Sequence, residues 1–269
     1  MIFRPLFSIP IEDTVAQEVF HEFRAYQRSQ PILNLAAFIP GPRWMPRLFR
    51  RDTRASAARI RALITTMTEQ RMAQIRAGTA PDDLATKIMT TRDPQNGETF
   101  STSEMVDQVA IFFLAGHETS ASALGWGLYL MALYPDWQEK IADEAQALQT
   151  GDFSELSKLR ISRDVFRETL RLYPPVPMMV REATCPETFR DRNIPKGAQI
   201  VLSPWHLHRH ERLWDNPDGF DPARWQTENG KTCAREAYIP FSAGPRVCTG
   251  AGFAMAEGVL LLSLLLRDL

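Results

Sequence analysis

Cysteine, lysine and any surplus of charge are scarce in this chain of 269 residues. Three cysteines (Cys185, Cys233 and Cys248), no two spaced C-x-x-C, exclude a disulfide framework and suit a reducing compartment or indifference to redox. A formal net charge of −1 leaves no electrostatic footprint for nucleic acid, so none is expected as a partner. Of the 31 cations only 5 are Lys, and the rest are Arg, the better residue for gripping carboxylates with two bonds. Long apolar runs are missing too. Two uncharged stretches are rich in apolar residues: Thr119–Pro135, which opens Thr-Ser-Ala-Ser, and Gly258–Leu266, which is too short to span a bilayer. The opening MIFRPLFSIPIEDT has no apolar core ahead of a small-residue cleavage site, so no signal peptide is expected. With 44% hydrophobic and 23% charged residues the composition is that of a soluble globular chain, and a cytoplasmic location is expected.

What is present is mostly helical pattern. Ile11–Arg28, with Glu12 and Asp13 in its first turn, predicts a helix, after which Pro31, Pro40, Pro42 and Pro46 force an irregular segment. Asp52–Gly78 is rich in Ala, Arg, Met and Leu and closes on Gly, predicting a long helix; Thr91–Phe100 reads as a loop. Ser101-Thr-Ser-Glu104 offers a capping box for a helix that runs to Tyr134, where Pro135 stops it. That helix is apolar nearly all round and is expected to be buried. Pro135–Gln149 and Leu156–Leu172 predict two more helices, the second ended by Tyr173-Pro-Pro-Val-Pro177. MMVREAT and AQIVLS, between Met178 and Ser203, read as short extended pieces. Residues 204–247 read as ordered coil, and Ala251–Leu269 as a very apolar helix. The fold class expected is mainly α with small antiparallel β portions.

One cysteine stands in chemically suggestive company, in Phe241-Ser-Ala-Gly-Pro-Arg-Val-Cys-Thr-Gly250. A lone cysteine before an apolar helix is most often an inert core residue. Here Gly244 and Gly250 permit a tight loop, Pro245 stiffens it, and the loop delivers Cys248 to a helix start, where a thiolate is stabilised. Such a thiolate is a soft ligand for iron, and Arg246 stands two residues away to meet an anionic cofactor group.

F-x-x-G-x-R-x-C-x-G matches at every fixed position the haem-ligand loop of the cytochrome P-450 monooxygenases, and the chain resembles that superfamily, its soluble bacterial members in particular. The resemblance implies haem b (iron protoporphyrin IX) with Cys248 as the axial iron ligand and Phe241, Gly244, Arg246 and Gly250 around the cofactor. Glu168-Thr-Leu-Arg171 resembles the family's E-x-x-R, and Phe220-Asp-Pro-Ala-Arg-Trp225 its F-x-P-E-R-F segment, departing at Ala223 and Trp225. Arg224 then completes a Glu168–Arg171–Arg224 structural triad. Ala115-Gly-His-Glu-Thr-Ser120 matches A/G-G-x-E/D-T, implying a dioxygen groove at Ala115 and Gly116. Glu118 and Thr119 would be the acid–alcohol pair that delivers protons for O–O cleavage. Arg181 matches the position of a second partner for the haem propionates, and Phe112, Val176, Met178 and Met179 fall where the family lines its substrate. His206, His208 and His210 alternate in WHLHRH, but no Cys or carboxylate completes a zinc-type set, so they are read as structural.

The resemblance covers about Ile11 to the last residue, and the family is considerably longer. By that comparison residues 1–269 form a single partial haem domain, with 1–100 as roof helices and loops and 101–269 as the haem-binding core. The expectation is a monooxygenase that inserts one oxygen atom of O2 into a small apolar organic substrate. Without a flavin or nicotinamide fingerprint, electrons are expected from an external donor, a ferredoxin or a flavoprotein reductase. The alternative is a truncated, catalytically inactive relative or gene fragment with weak or no haem binding.

Overall fold

A computed structural model describes residues 6–10, 14–29, 51–93, 97–148 and 153–267. The proline-punctuated crossing that contains Pro31, Pro40, Pro42 and Pro46 lies outside the described residues. The chain divides into two compact units, Met1–His117 and Glu118–Leu269, and the division falls within one helix.

In the first unit the two helices expected from the sequence form as α1 (Thr14–Ser29) and α2 (Arg51–Ala77), and they pack on each other. A short helix, α3 (Leu84–Thr90), was not legible. It is started by Asp83, whose carboxylate accepts from the Thr86 N–H at 3.0 Å and forms a buried ion pair with Arg71 of α2. The capping box ahead of α4 (Thr102–Leu133) forms as read: Ser101 N–H donates to the Glu104 carboxylate at 2.9 Å, and Glu104 N–H to Ser101 Oγ at 3.3 Å.

The expectation that α4 is buried all round is overturned. Its first half buries Met105, Val106, Val109 and Phe113, and its second half Ala123, Leu130 and Met131, a stripe at helical spacing. Ile111 (57% exposed) and Leu133 (55%) stand off that stripe, so an apolar side chain at every position of the helix does not mean a buried one.

The second unit is built around α5 (Pro135–Gln146), α6 (Arg160–Leu172) and α9 (Ala251–Arg267), with Met131, Ile141, Val165, Phe166, Leu170 and Leu262 at its centre. The helix predicted over Leu156–Leu172 is divided, a 3₁₀ turn at Phe153–Lys158 preceding α6. The cause is Glu144 of α5, whose carboxylate accepts from Ile161 N–H (2.8 Å), Ser162 N–H (2.9 Å) and Ser162 Oγ (2.7 Å). It supplies acceptors and negative charge where a helix start has free N–H groups. Gly258 lets α9 approach α6 closely, since a Cβ there would stand 2.1 Å from the Phe166 ring.

The extended pieces appear as β1 (Met179–Glu182) and β4 (Gln199–Leu202), paired antiparallel with Arg181 opposite Ile200. Between them β2 (Glu187–Phe189) and β3 (Arg192–Ile194) form a hairpin whose polar sequence gave no alternation to read. Residues 204–247 are less irregular than expected. They hold α7 (Pro204–Leu207), 3₁₀ turns at Pro222–Gln226 and Gly244–Arg246, and a regular helix, α8 (Glu228–Glu236). Gly230 in α8 is required by contact: a Cβ there would lie 1.9 Å from the Arg224 carbonyl oxygen. Thr227 caps α8 by accepting from the Gly230 N–H at 3.0 Å.

Candidate functional site

The residues read as a triad converge. Glu168 and Arg171 share one face of α6 by their i, i+3 spacing, and the turn at Pro222–Gln226 brings Arg224 across to them. Arg171 Nε donates to one Glu168 oxygen and Arg171 Nη2 to the other, both at 2.9 Å, in the forked geometry of a bidentate pair. Arg224 Nε donates to Glu168 Oε1 at 2.9 Å, and the Asp221 N–H to the same oxygen at 3.0 Å. All three side chains are buried. The remaining guanidinium hydrogens are spent on carbonyls: Arg171 reaches His208, Pro217 and Gly219, and Arg224 reaches Asp215, Asn216 and Gly219. The aperiodic stretch 208–219 is therefore ordered by two side chains that hold its carbonyls, which no local pattern in those residues announces.

His208 closes against the same helix. Its Nδ1 lies 3.1 Å from the Arg171 carbonyl and its Nε2 accepts from the Ile239 N–H at 2.9 Å. An amide can only donate, so Nε2 is bare and the proton sits on Nδ1. Residues 204–207 are helical, so the alternation that would have put the three histidines of WHLHRH on one strand face is absent. Only His208 of the three is buried; His206 is exposed.

Burial pushes the His208 pKa down from 6.5 to about 4. An unfolded chain takes up this proton as pH falls through about 6.5, whereas the folded ring resists until about 4. Its contribution to stability is therefore fully present above that window and lost as pH falls through it. Between these limits the urea midpoint is expected to drop by the equivalent of about 3 kcal/mol, and His208→Gln, which does not titrate, should flatten this part of the profile. A His208→Gln profile parallel to the parent's would place the acid lability elsewhere.

The Cys248 loop begins three residues beyond Tyr238, whose hydroxyl donates to the Arg167 carbonyl of α6 at 3.1 Å. Ser242 N–H donates to the Ile239 carbonyl at 3.1 Å, closing a turn, and Cys248 N–H donates to the Phe241 carbonyl at 2.9 Å. Gly244, at φ 70°, lies in the left-handed region that favours glycine. Cys248 is an exposed free thiol, and α9 starts three residues later. Phe241 packs against the central core. Arg246 is exposed on the 3₁₀ turn. Arg181 of β1 reaches the same loop, donating from Nη2 to Ser242 Oγ at 3.2 Å. Two arginines from separate elements thus sit on the cysteine loop.

Ala115, Gly116, Glu118 and Thr119 lie mid-way along α4, whose helical assignment is unbroken there; Glu118 is exposed and Thr119 half-buried. Phe112 and Met179 are half-buried, while Val176 (43%) and Met178 (61%) are exposed. Sequence reasoning passed over Glu257 of α9, which accepts a hydrogen bond from Ser120, the neighbour of Thr119; burial holds its carboxyl above the usual range. An acidic residue in an otherwise apolar helix was the available signal.

With this loop and triad in place, the comparisons converge. The chain matches the family described as Cytochrome P450 over residues 1–269 and belongs to it. It is 31% identical over 268 residues to the cyclooctat-9-en-7-ol 5-monooxygenase of Streptomyces melanosporofaciens, covering 97% of this chain and 56% of that protein. It is 35% identical over 215 residues to human cytochrome P450 4X1, covering 75% and 42% of the two chains. Among solved structures it is similar to the cytochrome P450DA heme domain (TM-score 0.79, 27% identity, 98% of this chain and 58% of that one). It is also similar to retinoic acid-bound cyanobacterial CYP120A1 (TM-score 0.82, 25% identity, 99% and 58%). The chain spans about half the length of the curated relatives it matches. Among the described residues no helix is long and apolar enough to cross a membrane.

Haem is the cofactor of this family, and the residues present suit it. A Cβ on Gly250 would stand 3.9 Å from Cys248 Sγ, and one on Gly244 would meet nothing within 4 Å, so the loop is open at Gly244. Val247, beside the sulfur, is exposed and apolar. Arg181, hydrogen-bonded to Ser242, and Arg246, exposed on the turn, carry the charge that carboxylates on the rim of a flat haem ring would need.

Proposed function

We propose that this chain supplies the haem-thiolate core of a monooxygenase, with haem b held by Cys248. The reaction takes an organic substrate, O2, two electrons and two protons to a hydroxylated product and water; the electrons come from a ferredoxin or flavoprotein reductase. The observation that carries this reading is the exposed Cys248 sulfur at the head of α9, on a loop whose closure is set by its own N–H bonding to the Phe241 carbonyl. When bound, haem supplies the redox chemistry that activates O2.

The chain's residues do the rest. The Cys248 thiolate fixes the cofactor and donates electron density. Arg181 and Arg246 orient the propionates. Thr119 and Glu118, consecutive on α4, would hold and pass the protons that oxygen activation at a bound haem consumes. Phe112, Val176, Met178 and Met179 offer apolar surface to an apolar substrate, and Ala115 and Gly116 leave space against α4. In this reading residues 1–269 belong to one haem domain and act in the cytoplasm.

Thr119→Ala tests the assignment. Haem content and substrate binding are expected to match the parent, while product formation falls by about 100-fold and electrons are diverted to hydrogen peroxide. Equal product yield per electron in parent and variant removes Thr119 from the mechanism.

A further inference from the structure

His208 stands between the buried triad and the cysteine loop, and the haem reading gives it no task. It is fully buried, 37 residues from one partner and 31 from the other. Both bonds serve backbone groups that local structure leaves unmatched. The Arg171 carbonyl is in the last turn of α6, where no N–H follows to take it. The Ile239 N–H belongs to the first residue of the turn that opens the cysteine loop. Arg171 returns the contact, donating from Nη1 to the His208 carbonyl at 2.8 Å, so the imidazole is clamped to the triad on one side. On the other side it holds Ile239, whose carbonyl accepts from Ser242, and the next turn residue but one, Phe241, accepts from Cys248 N–H.

We propose that His208 is a positioning residue for Cys248: a backbone-to-backbone strut that sets where the turn at Ile239–Ser242, and with it the sulfur-bearing loop, sits on the triad. The role requires the neutral ring with its proton on Nδ1. A second proton on Nε2 would point at the Ile239 N–H, donor against donor. The charged groups around the ring, Arg171 of α6 and Arg209 beside it in the chain, are both cationic. Tyr238, whose ring lies 5.3 Å from the imidazole, stays a neutral phenol because burial raises its pKa. Among the described residues the carboxylates of this network are already engaged, Glu168 by Arg171 and Arg224 and Asp218 by Arg209.

The proposal rests on the haem-thiolate reading for its meaning, but its test does not. Amide hydrogen exchange is followed in the 269-residue chain without haem at Ile239, Cys248 and, as an internal control, Asp221, whose N–H is held by Glu168 rather than His208. His208→Asn places a donor where Nδ1 is but no acceptor for Ile239. Exchange at Ile239 and Cys248 is expected to rise about tenfold, the loss of one hydrogen bond, with Asp221 unchanged. His208→Gln, which puts an acceptor where Nε2 is, restores protection at both. Equal exchange in parent and His208→Asn, or a parallel rise at Asp221, overturns the proposal.

If His208→Asn does not fold, the parent decides. As the pH falls through about 4, where the folded ring takes its second proton, protection at Cys248 must fall more than that at Asp221, and an equal loss at both contradicts the strut. With haem and CO added to the reduced chain, His208→Asn should also weaken the thiolate-type absorption band that His208→Gln keeps. A parent that shows no such band refutes the haem reading, while the exchange comparison still decides the role of His208.

Discussion

Cys248→Ser is expected to abolish thiolate-ligated haem, leaving the chain folded but unable to give the red-shifted CO-bound absorption of a sulfur-ligated iron. Serine keeps the loop geometry and the N–H bond to Phe241 but offers a hard, protonated oxygen in place of a soft thiolate. The other two cysteines are the controls. Cys233 is buried in α8, its thiol donates to the Leu213 carbonyl at 3.0 Å, and burial raises its pKa, so it is held as a thiol. Cys185 is exposed near the β2–β3 hairpin, away from the loop in sequence. Their Ser variants should keep the parent spectrum. If Cys248→Ser also keeps it, the ligand has been assigned to the wrong residue.

The second large effect is expected at Glu168. Its removal in Glu168→Ala leaves Arg171 and Arg224, 0% and 4% exposed, facing each other without an anion. Leaving buried charge uncompensated costs about 3–5 kcal/mol, against a typical folding free energy of roughly 5–15 kcal/mol. The cost does not stay local, because the same two guanidiniums hold the carbonyls of residues 208–219, and His208 in turn holds Ile239. The expected outcome is little or no soluble haem-binding protein. A Glu168→Ala chain with the parent's melting midpoint and haem content would mean that the triad bears no structural weight.

How far the sequence could be read follows from where each signal resides. The long helices were legible because apolar spacing, the Ser101–Glu104 capping box and the Pro135 stop are local. The triad was legible only through motif order, since an E-x-x-R taken alone is an ordinary surface pair. The ordering of residues 208–219 was not legible, because its cause lies in side chains up to 48 residues away that bind backbone carbonyls. The same holds for the break before α6, set by Glu144 of a neighbouring helix, and for α8, where Gly230 serves a close approach to Arg224. All-round apolarity of α4 was mistaken for all-round burial. His208 was read as structural, and its two backbone partners, and hence its reach to the cysteine loop, appear only in three dimensions.

The central claim is that this chain holds haem through Cys248, and the absorption spectrum of the purified 269-residue chain, supplied with haem, reduced and exposed to CO, tests it most directly. The account predicts stoichiometric haem uptake and a Soret band at the red-shifted position that a thiolate opposite CO produces. No haem uptake, or a CO complex with the band position of nitrogen-ligated haem, would contradict it.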